Sequence, residues 1–304
     1  MLRRPITLRA LRLAATLFVV ATAVFLMMRT SGDPALAIAG PDAEPAYLEQ
    51  VRLKWGLDQP LHEQYLVFLG NAFRGDFGQS MASGEGAGAL FLARLPATLQ
   101  LGILSLIISF LGIPLGIIAA LRQGTSLDRF VMSFAVMAFS MPNFFLGILF
   151  ILVFSMHLHL LPSYGSGSWQ HLVMPALTLG LSSAGAVARF ARSCMLDVLG
   201  STYVLSARAR GIPTSRRMLL HALPNAAIPL VTILGFRIGD LVAGAIIVET
   251  VFAWPGIGRL LANAVASRDL PVVQVVVLAT ALTMILANLA VDALYGWLDP
   301  RMRR

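Results

Sequence analysis

An all-α membrane protein with about six transmembrane helices is what this sequence predicts, and three observations carry that prediction. Hydrophobic residues make up 57% of the chain and charged residues only 12%, and the mean hydropathy of +0.78 lies outside the range of soluble globular domains. The apolar residues fall into separate runs, each near the length of about 20 residues with which a helix crosses a hydrocarbon layer of about 30 Å. Alternating apolar and polar positions do not recur in segments of about ten residues, which disfavours a transmembrane β-barrel.

The first run, Leu11 to Met28, follows Arg3 and Arg4, is long for a signal-peptide core and lacks a small-x-small cleavage site after it, so residues 1–29 read as a tail and a retained first span. Residues 30–96 are too many for a connector. Within them Glu49 to Trp55 and His62 to Phe73 read as short amphipathic helices separated by Gly56 and Pro60, so this segment is expected to form an extracytoplasmic cap between spans one and two. Gly75 to Gly88 is rich in Gly and Ser and reads as a flexible or re-entering stretch. Residues 97–304 hold the other five runs: Thr98 to Leu121, Phe130 to Met156, Leu172 to Phe190, Ala226 to Val248 and Val272 to Leu294.

Orientation follows from the cations, because short cytoplasmic loops retain Arg and Lys. One side holds Arg3, Arg4, Arg9 and Arg12, then Arg122 and Arg129, then Arg189, Arg192, Arg208, Arg210, Arg216 and Arg217, and last Arg301, Arg303 and Arg304. These are most of the 23 basic residues, so both termini are expected in the cytoplasm. Topology accounts for the net charge of +8, and no nucleic-acid partner is implied.

Catalytic signatures are missing from the sequence. A phosphate-cradling loop ending in Gly-Lys-Ser/Thr needs a lysine, and the chain has only Lys54, preceded by Leu53. His62, His157, His159, His171 and His221 lack helical metal-ligand spacing, and the single Cys194 builds neither a disulfide nor a thiolate site. Gly180 to Ala184 comes within one residue of a nucleophile elbow, but it sits in an apolar run where Gly and Ser serve close helix packing. The chain is therefore expected to be no enzyme and to carry no cofactor or metal of its own.

Between the fourth and fifth runs lies Tyr203 to Pro224, a basic and interrupted helical segment. Thr202 to Arg210 can form a short helix that Gly211 stops, and Pro213, Thr214 and Ser215 can start another. Arg216 and Arg217 near that start oppose the helix dipole, so their placement is not for helix stability alone. Topogenic charge and contact with lipid headgroups explain the arginines but not the two-helix punctuation.

Ala207, Gly211 and the end His221-Ala222-Leu223-Pro224 resemble the motif of binding-protein-dependent ABC transporter permeases, in which Glu-Ala-Ala is followed after three residues by Gly and after nine more by Ile-x-Leu-Pro. The chain has Leu205, Ser206 and Ala207 at the Glu-Ala-Ala positions, so the glutamate is missing, as it is in the similar form used by the peptide and nickel permease subfamily. The likeness runs collinearly through Ser31-Gly32-Asp33-Pro34, Gly75-Asp76-Phe77-Gly78, Arg94-Leu95-Pro96-Ala97-Thr98, Pro175 to Gly180, Glu249 to Gly258 and Leu298-Asp299-Pro300-Arg301. The resemblance implies a multi-pass permease of a bacterial inner membrane. It would form half of an importer's pathway as a heterodimer with a second, homologous but different permease, together with two ATPase subunits that bind ATP and Mg and an extracytoplasmic solute-binding protein. The implied coupling segment is 201–224, with Tyr203, Ala207, Arg208, Arg210 and Gly211 at the ATPase joint. Di- or oligopeptides are the expected cargo, with nickel complexes, glutathione and other small solutes as alternatives.

Arg237 and Asp240 stand three apart in the fifth run, where intramembrane charges are costly and mark either a pathway or gate or an ion pair between helices. Phe252, Trp254 and Pro255 follow it as candidate contacts with an outer partner, or as members of an aromatic belt. Two other classes remain. An ion-coupled carrier would rely on buried carboxylates such as Asp240, and an intramembrane hydrolase would need a base beside a nucleophile.

Overall fold

A computed structural model describes residues 3–30, 33–40, 43–227, 229–230 and 245–298. The described helices are α1 (Arg3–Thr30), α2 (Pro34–Ala39), α3 (Pro45–Lys54), α4 (Leu61–Arg74), α5 (Ala87–Phe110), α6 (Gly112–Leu121), α7 (Ser126–Ser140), α8 (Asn143–Phe150), α9 (Gln170–Leu199), α10 (Thr202–Ala209), α11 (Thr214–Arg217), α12 (Ile257–Ala266) and α13 (Leu270–Leu298). Residues 245–251 are also helical, and π-helical turns occupy Ile151–His157 and Met218–Ala222. No strand occurs among the described residues beyond an isolated bridge between Gln79 and Gly86.

Ala87–Leu121, Gln170–Leu199 and Leu270–Ala290 are long and apolar enough to cross a membrane, and they contain or overlap three of the expected runs. The run expected as one span from Phe130 to Met156 is instead broken, with α7 and the helix from Asn143 to His157 meeting at 104°. The break follows from Pro142. Its ring pushes Met141 out of the α region, to φ −78° and ψ 128°, and its nitrogen has no hydrogen to donate. The first run lies inside α1 with a short apolar stretch, Leu13–Met27. Most of the expected Ala226 to Val248 span lies outside the described residues.

The chain divides into two compact units, one of which comprises Met1–Thr98 and Pro255–Ile285. Both helices expected in the 30–96 segment are present there as α3 and α4. Asp33 opens α2 by accepting from the Ala35 N–H at 2.9 Å, and Arg52 of α3 reaches the same carboxylate at 2.6 Å. The α4 helix places Tyr65 and Phe68 against α1, where Phe25 packs at 5.2 Å and 5.7 Å between ring centres and Thr22 Oγ1 lies 2.5 Å from the Tyr65 hydroxyl. Its other face leaves Leu66, Val67 and Phe73 exposed.

The Gly- and Ser-rich stretch expected to be flexible or re-entering is pinned instead. Ser80 Oγ, the Met81 N–H and the Ala82 N–H all donate to the buried carboxylate of Asp269. Asp269 is held in the turn after α12, where Arg268 has φ +56° and the Asp269 N–H bonds Ala264 O at 2.7 Å. Thr98 Oγ1 accepts the Ile257 N–H at 2.7 Å and satisfies an otherwise orphaned donor at the start of α12.

The second unit, Leu99–Trp254 and Leu286–Arg304, is built on α9. Helices α6 and α7 pack on α9 without intervening side chains. A Cβ on Gly112 would collide with the Ala184 carbonyl oxygen, one on Gly116 with that of Ala188, and one on Gly185 with that of Ala135. This backbone-to-backbone approach is how helices associate where lipid removes the hydrophobic drive. Gly180 meets Ile108, and Ser183 Oγ lies 2.8 Å from Ser109 Oγ, so the near-elbow at Gly180 to Ala184 is a packing seam.

Candidate functional site

The segment after α9 folds as its punctuation predicts. α10 ends at Ala209, Gly211 takes φ +74°, and α11 starts at Thr214 behind Pro213. The left-handed conformation costs a residue with a Cβ about 1 kcal/mol or more, which is why glycine stands there. The backbone N–H groups of Gly211 and Ile212 close the turn on Arg208 O and Ala207 O at 3.0 Å and 3.2 Å. Beyond α11 the chain passes through the Met218–Ala222 π-turn, in which the Leu223 N–H bonds Met218 O. This wider turn stands directly before Pro224, whose missing N–H removes a normal helical bond.

A buried cluster of Ala120, Met195, Met218, Ala222 and Ala226 ties this segment to the ends of α6 and α9. Within α10, Val204 and Ala207 face that body, and Ala207 is only 7% exposed. Ala207 is therefore a packing residue rather than an outward contact. Tyr203, Leu205, Arg208 and Arg210 are exposed, and a Cβ on Gly211 would meet nothing within 4 Å. The exposed side chains of α10 and the turn after it thus include one aromatic, one leucine and two cations.

One ion pair was not anticipated from the sequence. Arg192 of α9 forks onto Asp128 of α7, with Nε at 2.7 Å from Oδ1 and Nη2 at 2.8 Å from Oδ2. The Gly124 N–H also reaches Asp128 Oδ2 at 2.9 Å, and Thr125 caps α7 through the Asp128 N–H. The signal was present as Thr-x-x-Asp at a helix start. Arg192 itself was indistinguishable from a topogenic charge.

Phe252 and Trp254 are 1% and 3% exposed, and Pro255 is half-buried. The two aromatics are thus filled by their own chain and offer no outer surface: Phe252 packs with Met174 and Val248, and its carbonyl accepts the Gly165 N–H at 3.0 Å. Exposed aromatics lie instead on the preceding loop, at Tyr164 and Trp169. Arg237 and Asp240 lie outside the described residues. No group of three or more His, Cys, Asp or Glu side chains able to hold a metal occurs among the described residues.

Residues 112–304 match the family described as binding-protein-dependent transport system inner membrane component, and residues 1–102 match the N-terminal region of such membrane components. The chain is 45% identical over 297 residues to the glutathione transport system permease protein GsiC of Escherichia coli (strain K12), covering 97% of each protein, and equally so to that of Shigella flexneri serotype 5b. Among solved structures, the inward-facing MetNI methionine ABC transporter shares the fold with a TM-score of 0.59 at 20% identity, over 69% of this chain and 96% of that one. An amino acid ABC transporter crystallised with histidines gives 0.55 at 19% identity, over 68% and 94%. With a family match across both regions and relatives similar from end to end, the chain belongs to the binding-protein-dependent transport system inner membrane components, the permease subunits of ABC importers.

Proposed function

We propose that this permease forms half of a pathway for short peptides, with glutathione within the cargo class, and that α10 is the element through which separate ATPase subunits drive it. A second, homologous permease completes the pathway, and a solute-binding protein delivers the peptide. The observation that carries the mechanical part is the short helix, left-handed glycine and second short helix at the end of α9, with Tyr203 and Arg210 exposed and Ala207 turned into the chain's own body. ATP-driven closure of the ATPases would displace α10, and α9 would follow as one body. Cargo is read from the permease of a glutathione system that is 45% identical along nearly the whole chain.

The test is uptake of labelled glutathione and of a dipeptide into proteoliposomes holding this chain with its co-purifying partners and binding protein, native against Gly211→Trp. Loss of ATP-dependent uptake with assembly intact is the expected result. Uptake that continues without any ATPase refutes the reading, and ATP-dependent uptake of a nickel complex but of neither peptide refutes the cargo.

A further inference from the structure

The ends of α6 and α9 and the faces of α10 and α11 enclose a cavity of about 250 Å³. Its apolar floor is built from Ala120, Leu121, Leu199 and Met218, the last two helical turns of two spans and the start of the π-turn. Arg208 and Arg217 line its walls, and Thr214 stands beside them with its hydroxyl 3.3 Å from Arg217 Nη2. Neither guanidinium is paired with a carboxylate among the described residues. Two cations lining one small concavity repel each other, and an anion placed between them removes that repulsion.

We propose that this cavity binds the phosphate of an anionic phospholipid of the inner leaflet. Each guanidinium offers forked donors that match phosphate oxygens, and the Thr214 hydroxyl adds a further one. The floor lies at the ends of two apolar helices, α6 and α9, on the side to which the cation distribution assigns the cytoplasm, where anionic headgroups attract basic side chains. Leu121 and Leu205, both exposed at the cavity, supply an apolar path for the acyl chains. A soluble anion would use the arginines and leave those leucines in water. The bound lipid bridges α10 and α11 to the ends of α6 and α9, so it seats these two short helices on the body of the second unit. The proposal does not depend on the cargo or on which residues touch an ATPase.

The test uses the full chain with its co-purified partners in neutral detergent, titrated with phosphatidylglycerol, phosphatidylcholine or inorganic phosphate. Bound lipid is counted by native mass spectrometry, and the unfolding midpoint is read in parallel. Phosphatidylglycerol is expected to bind and raise the midpoint, with phosphatidylcholine doing neither. Arg217→Gln and Arg208→Gln each lower the affinity about tenfold, the loss of one charge-assisted bond. Arg217→Lys recovers part of it, because a cation remains without the fork. Arg216→Gln removes the same charge from a neighbouring position that does not line the cavity, and it leaves the affinity unchanged. Equal loss in Arg216→Gln overturns the site in favour of diffuse attraction. Competition by equimolar inorganic phosphate overturns the lipid as ligand, and lipid that binds only after the ATPase subunits have been stripped from the complex assigns the cavity to an acidic partner side chain instead.

Discussion

Arg192→Ala tests whether the fork onto Asp128 locks α7 to α9. The Asp128 side chain is 5% exposed and that of Arg192 is 25% exposed, and the guanidinium supplies two of the bonds to the carboxylate. Removing one partner of a dry buried pair costs about 3–5 kcal/mol, and an exposed pair is worth about 0.5 kcal/mol. Here the arginine is itself much of the cover, so its removal admits water to Asp128, and the Gly124 N–H stays bonded at 2.9 Å. The expected loss is about 2 kcal/mol, roughly 30-fold in the unfolding equilibrium. Asp128→Ala should lose a similar amount, because it strands a guanidinium and the Gly124 N–H. The double variant should fall well short of the sum, with a coupling of about 1.5 kcal/mol. Denaturation in detergent of the native chain, both single variants and the double variant closes the cycle. Single losses under about 0.5 kcal/mol, or losses that add within that margin, refute the lock.

Three further outcomes are expected. Gly116→Val should destabilise the second unit by about 2–3 kcal/mol, since the new side chain meets the Ala188 backbone rather than a movable side chain, and a midpoint unchanged in thermal unfolding would contradict the close approach. Asp269→Asn should weaken the three bonds that hold Ser80 to Ala82, seen as faster hydrogen exchange at the Met81 and Ala82 amides; exchange as slow as in the native chain would mean that another group pins the turn. The hydrogen bond from Arg52 holds the Asp33 carboxyl below the usual carboxylate range, helped by the Ala35 N–H and opposed by burial. A lowered folded pKa gives stability that is full above the unfolded value of about 3.9 and is lost as pH falls through the folded one. Unfolding midpoints measured from neutral pH down to acid should therefore drop less steeply below about pH 4 in Arg52→Gln than in the native chain, and parallel curves would remove Asp33 as the cause.

What could be read in the sequence was what depends on local chemistry. The apolar runs marked α5 with α6, α9 and α13, and Gly211 with Pro213 marked the two stops in the segment after α9, because helix length and glycine or proline punctuation are properties of neighbouring residues. Features set by contacts distant along the chain were hidden. Ser80 meets Asp269 across 189 positions, and nothing beside Gly75 to Gly88 says that a carboxylate will pin it. Phe252 and Trp254 looked like surface aromatics because burial is decided by the partner, here Met174 and Val248 in the case of Phe252, and not by the residue. The break at Pro142 was visible in principle, yet the run around it was apolar enough to mask the punctuation.

The 30 residues of α9 form one helix, with Pro175 near its start. Its beginning packs Met174 against Phe252, and its end packs Met195 against Met218, directly before α10. At 1.5 Å per residue such a rod is about 45 Å long, so a tilt of about 5° around its midpoint carries each tip about 2 Å in opposite directions. The glycine-lined flanks that leave no side chains between α9 and its neighbours are also bearings on which a stiff beam can slide without climbing over bulky groups. A push received at one end of α9 would therefore be delivered at the other as a pull, and the fork between Arg192 and Asp128 would tie α7 to that movement.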